Sequence, residues 1–157
     1  MLLQQRAVKI FPDYHQFYLW DKGMNPSGPE EYSQEDVDKR IKVGPHVVVI
    51  RSDGDTAHVP VSIEIHDAEP SPDLQEWDHI AEASLNLPTG QLQVHECTGG
   101  PVADFRVDKG WYRVRSFHGG LDSVHDGKSD AADFYRVALW PSPPDEVRII
   151  KRYSEPA

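Results

Sequence analysis

Acid–histidine neighbours are the first candidates for chemistry in this chain: His66-Asp67, Asp78-His79 and His125-Asp126. A zinc centre needs three or four N, O or S donors converging at about 2.0–2.3 Å. His58, Glu64 and His66 fall on one face of an alternating run, so they form one low-priority set for a metal or for acid–base work. A second set is Asp122, Asp126, Asp130 and Asp133, which occupy positions one, five, nine and twelve of a calcium-type loop with Gly127 at six. Val124 stands at position three and cannot ligate through its side chain, and Asp133 stands where a bidentate Glu is wanted. A solvated loop is the simpler reading of that segment, and packed or exposed histidines the simpler reading of the first set. No cofactor motif is present.

Nucleophile chemistry has less support. Cys97 stands alone beside Glu96, an acid that disfavours a thiolate. There is no Gly-x-Ser-x-Gly and no Gly-rich phosphate loop. Trp111, Arg113, Arg115 and Phe117 share a strand face and could bind bases or sugars. The preferred reading is that the two arginines neutralise acids on adjacent strands while Trp111 covers the core edge. The His58/Glu64/His66 set is loosely similar to cupin barrel sites, but the close His-x-His pair of that family is missing.

Charge carries more information than any motif. From Ser52 to Phe105 there is no Lys or Arg, and eleven acids fall there, in a chain of net charge −10. That third therefore holds −11 and the remainder +1. Such a surface repels nucleic acid and anionic membranes and attracts basic partners. Glu64, Asp78, Glu82 and Glu96 sit within or beside alternating strands and are the candidate partner-facing carboxylates. Acidity that serves only solubility explains the same composition.

The elements that must position these groups are mostly strands. A chain of 157 residues, 38% hydrophobic and 27% charged, reads as one globular domain. A single cysteine, no signal-like start and no long apolar run read as a cytoplasmic protein of bacterial style. Short alternating runs broken by Pro, Gly and Asp predict an all-β, two-sheet antiparallel sandwich of about 8–10 strands. The runs are 7–11, 14–20, 46–51, 57–66, 78–87, 91–97, 102–107, 111–117, 133–140 and 147–153. Ser33-Gln-Glu-Asp36 predicts a capped helix to about Lys42, ended by Gly44-Pro45. Pro60 predicts an edge or a bulge. Trp77, Ile80, Ala81 and Ser84 also fit a helical period, but the alternation through Leu87 favours a strand. Asp108-Lys-Gly-Trp-Tyr112 resembles the tyrosine corner of Greek-key sandwiches, whose hydroxyl bonds back to nearby backbone.

Asp13-Tyr-His-Gln-Phe-Tyr-Leu-Trp-Asp21 resembles the N-terminal strand of the competence protein J family, small bacterial inhibitors of a DNA-entry nuclease. Tyr14, His15, Gln16 and Phe17 carry the likeness, which covers under a tenth of the chain. It implies a β-rich inhibitor-like module and adds Tyr14, His15 and Gln16 to the candidate partner-binding residues. The expectation is thus a non-catalytic acidic binding protein, inhibitor-like or immunity-like, for a basic partner such as a nuclease. A small-ligand or metal-binding enzyme and a structural or oligomeric component are the alternatives.

Overall fold

The computed structural model describes residues 1–124 and 131–154. Its strands are β1 (Leu2–Ile10), β2 (Gln16–Asp21), β3 (Ile41–Gly44), β4 (Val47–Arg51), β5 (Val59–His66), β6 (His79–Leu87), β7 (Gln91–Glu96), β8 (Pro101–Arg106), β9 (Gly110–Gly119), β10 (Phe134–Pro141) and β11 (Arg148–Lys151). One helix, α1 (Gln34–Lys39), precedes β3. The first sheet has the order β1-β5-β10-β9-β6-β11 and the second β3-β4-β2-β7-β8. No helix among the described residues is long and apolar enough to cross a membrane.

Alternation builds the core between the sheets. Val59, Val61, Ile63 and Ile65 of β5 point inward, as do Ala81, Ala83, Leu85 and Leu87 of β6 and Phe17 and Leu19 of β2. The β4 run Val47-Val-Val-Ile50 does not alternate, because both of its faces are covered. Val48 and Ile50 enter the central core, while Val47 and Val49 lie beneath Tyr18, Trp20 and Tyr32 on the outside of the second sheet. The first sheet likewise has a covered outer face, where Ile80, Phe117 and Ala138 pack under Trp77. The tyrosine corner is present, with Tyr112 Oη donating to Asp108 O at 2.7 Å.

Several expectations are corrected. The helix has the expected capping box, Asp36 N to Ser33 Oγ and Ser33 N to Asp36 Oδ2, but it stops at Lys39. Arg40 turns left-handed at φ 60°, and Ile41 drops into the core to start β3, the one strand the sequence reading lacked. A buried β-branched residue outweighed the Gly-Pro stop signal further on. The sandwich is not wholly antiparallel, since β5 and β10 pair in parallel. Pro60 marks neither an edge nor a bulge. It lies opposite Lys9 on interior strand β5, one residue before the β10 ladder begins at Val61, where its missing N–H costs least. β1 starts at Leu2 rather than Ala7. Residues 13–15 form a 3₁₀ turn, so β2 starts at Gln16.

Candidate functional site

At one end of the sandwich, the turn before β2, the C-terminus of α1, the β4–β5 loop and the start of β10 meet. Tyr14 and His15 both lie in the left-handed region, at φ 57° and 62°. Non-glycine residues there cost on the order of 1–3 kcal/mol each and persist only where neighbours fix them. The fixing contacts are present. His15 N donates to Pro12 O and Ser52 N donates to His15 O, both at 2.9 Å. The His15 ring places Nδ1 3.3 Å from Ser52 O and Nε2 3.2 Å from Asp55 Oδ2. The result is a Tyr14 side chain held outward, 65% exposed. A groove of about 280 Å³ runs beside it, with His15, Asp38, Arg40, Arg51 and Asp53 in its walls.

Behind this rim lies a buried polar network. Arg40 grips Asp53 through Nε at 2.7 Å and Nη2 at 3.0 Å. Asp53 N donates to Tyr135 Oη at 2.9 Å, and Tyr135 in turn donates to Asp133 Oδ2 at 2.5 Å. Gly54 N reaches the same oxygen at 3.1 Å; a Cβ at Gly54 would lie 2.8 Å from Asp133 Oδ1, so the approach needs glycine. Burial and then Asp133 push the Tyr135 phenol well above its usual range.

Two histidines complete the network. His79 Nδ1 accepts from Tyr153 N at 3.1 Å, so its Nε2–H donates to Lys39 O at 2.8 Å and the ring is neutral. Burial, with Arg40 nearby, pushes it down to about 4. His118 meets His79 and Tyr135 edge to face and contacts Ser116 Oγ through Nε2, while its Nδ1 has no hydrogen-bond partner among the described residues. Burial, then His79 and Arg40, push His118 well below its usual range.

The carboxylates chosen from the sequence are not brought together. Glu64 does lie on the outer face of the first sheet, but Arg136 binds it bidentately at 2.9 Å and His66 at 2.8 Å. Burial opposes its ionisation, yet those hydrogen bonds hold its carboxyl below the usual range. Glu82 sits between Arg113 at 3.1 Å and Arg115 at 2.7 Å, with its side chain 10% exposed. Arg115 continues to Glu69 and lies over Trp140. The arginine stripe thus neutralises acids as expected, although Trp111 is exposed rather than covering the core edge. Asp78 accepts from Leu121 N, and Glu96 from Phe11 N, so both tether loops. Gln16 lies on the outside of the second sheet and accepts from the Tyr18 and Tyr32 hydroxyls. Cys97 Sγ accepts from Tyr18 as well.

The eleven acids do not form one patch. Asp53 and Asp55 are at the rim, Asp104 is outside the second sheet, and Asp67, Glu69, Asp73, Glu76 and Asp78 follow one another along the β5–β6 connection.

The two metal sets are also dispersed. His58 precedes β5 and packs on Phe11, away from the Glu64–His66 pair. Asp126 and Asp130 lie outside the described residues; Asp122 accepts from Tyr153 Oη, and Asp133 belongs to the buried network. Among the described residues no group of three His, Cys, Asp or Glu side chains is placed to hold a metal ion. The Arg40–Asp53 and Tyr135–Asp133 pairs escaped sequence reading because their significance arises only where α1, the β4–β5 loop and β10 meet.

Fold and rim together define an all-β protein of two packed sheets with a strained, exposed tyrosine at one end. No protein-family model matches the chain, and no curated protein sequence matches it. Among solved structures it is similar to ComJ, inhibitor of the DNA degrading activity of NucA, from Bacillus subtilis. The TM-score is 0.67 at 12% identity, over 90% of this chain and 98% of that one. It is also similar to the crocagin biosynthetic gene J product, at TM-score 0.59 and 17% identity, over 90% of this chain and all of that one. At these identities the likeness is one of fold.

Proposed function

We propose that this chain is a non-catalytic binding protein of the inhibitor or immunity type that docks a basic protein, a nuclease being the favoured partner class. The observation that carries the reading is Tyr14, exposed and left-handed beside His15, which is itself left-handed and in contact with Ser52 and Asp55. Strain of this kind collects where a surface is built to bind, and tyrosine is a preferred anchor at interface centres. Asp13 precedes the anchor, Asp55 contacts His15 and Asp38 shares a groove with His15, and the β5–β6 connection adds long-range negative potential that speeds encounter with a cationic partner. Asp78 and Glu96 serve this surface by tethering its loops. Glu64 and Glu82 lend mainly their share of the overall field, because arginines already neutralise them locally. The fold shared with ComJ, whose described role is inhibition of NucA, supports the same class.

A pull-down tests it. The purified protein is immobilised at low salt, exposed to host lysate and eluted with a salt gradient. The expected result is a basic nuclease released at intermediate salt and absent from a Tyr14→Ala column. Equal capture by both columns, or no specific basic protein on either, counts against the reading.

A further inference from the structure

A second cleft, of about 540 Å³, opens at the opposite end of the sandwich, where β1 and β5 part from the corner between β8 and β9. That volume is within the range of small-molecule sites, roughly 300–1,000 Å³. Its apolar wall is Leu3 and Val107, with the nearly covered Ile65 and Tyr112 at its base. Leu3 lies where the β1–β5 register shifts between Leu2 and Gln4, and such bulges redirect a side chain. The far wall is fixed in advance. Tyr112 Oη is bonded to Asp108 O, and Val107 N donates to Gly90 O at 2.9 Å. Gly90, at φ 70°, leaves no space for a side chain against Val107 O.

The polar rim has a definite charge. Arg40, Arg113, Arg115 and Arg136 pair with carboxylates, whereas Arg6, Arg51 and Arg152 make no ion pair among the described residues. Arg106 and Lys109 are exposed at this mouth, and neither makes an ion pair among the described residues. Asp67 faces the Met1 nitrogen at 2.7 Å, and His66 is held by Glu64. Asp108 is the other rim carboxylate, and Arg106 and Lys109 flank it as the two cations of the mouth. In a chain of net −10, two cations without an ion pair among the described residues are a place for an anionic group.

We propose that this cleft binds a small monocarboxylate with an apolar body, its hydrocarbon against Leu3, Ile65, Val107 and Tyr112 and its carboxylate between Arg106 and Lys109. The proposal is independent of the Tyr14 rim, which lies at the other end of the sheets.

The test is a titration of the isotope-labelled full chain, followed by amide chemical shifts. The probes are 4-phenylbutyrate, its neutral amide, and an acetylated tetrapeptide ending in leucine with a free carboxylate. The expected result is saturable shifts at residues 3, 65, 107 and 112, at least tenfold tighter for 4-phenylbutyrate than for the amide. That preference should vanish in Arg106→Gln/Lys109→Gln, a pair of exposed changes that leaves the core untouched. Three results would overturn the proposal: equal binding of acid and amide to the native chain, no shifts at those residues up to millimolar probe, or binding of the peptide alone.

Discussion

Lowering the pH from 7 to 5 should cost this fold about 2 kcal/mol through His79, with a further loss of the same sign from His118. His79 has an ordinary value of 6.5 and is pushed down to about 4 in the folded protein. Between those values the unfolded chain binds a proton that the folded chain refuses. Stability is therefore full above 6.5, falls as the pH drops through this window, and loses nothing more from this group below 4. Linkage gives a loss of about 2 kcal/mol for His79 between pH 7 and 5. His118 is displaced in the same direction, first by burial and then by His79 and Arg40, and its loss adds to that of His79. Domains are stable by only about 5–15 kcal/mol, so the loss is large. The assay is urea unfolding at half-unit pH steps, with His118→Leu and His79→Leu measured in parallel. Each variant should start less stable at pH 7 and show a shallower slope from pH 7 to 5. A flat native profile, or variants that keep the full slope, would refute the reasoning. Glu64, whose carboxyl is held low, adds its own loss only in more acid solution.

Other consequences are simpler to state. Glu82→Gln leaves Arg113 and Arg115 buried without their shared carboxylate and should destabilise by about 3 kcal/mol or more in urea unfolding. Tyr112→Phe removes one hydrogen bond to Asp108 O and should cost about 1 kcal/mol, read as a lower urea midpoint at unchanged m-value. Ser33→Ala breaks the capping box and should cost about 1 kcal/mol by thermal melting. Tyr14→Gly relieves left-handed strain of about 1–2 kcal/mol against a smaller gain in chain entropy. It should stabilise the protein by roughly 0.5 kcal/mol while weakening partner binding.

Sequence period was a good guide wherever a strand had one wet or one apolar face. Val59, Val61, Ile63 and Ile65 declared β5, and Ala81 through Leu87 declared β6 against a helical alternative. It failed at boundaries set by tertiary contacts. Ile41 ended the helix early because the core had a place for it, and nothing local to Ile41 says so. The site was legible only in part. Tyr14 and His15 were singled out by a short likeness, but their left-handed geometry depends on Ser52 and Asp55, distant in sequence. The surroundings of the carboxylates were not legible, because alternation gives the direction of a side chain and not its company. Glu64 and Glu82 do lie on an outer face, yet Arg136, Arg113 and Arg115 come from strands whose neighbours only the topology reveals.

The most direct test of the account is a DNA-degradation assay with a basic nuclease from the host, titrated with native protein and with Tyr14→Gly. The account predicts stoichiometric inhibition by native protein that weakens as salt rises. It also predicts inhibition at least tenfold weaker by the variant, despite its equal or higher melting temperature. Undiminished inhibition by Tyr14→Gly would contradict the assignment of the rim, and absence of inhibition by native protein would contradict the assignment of function.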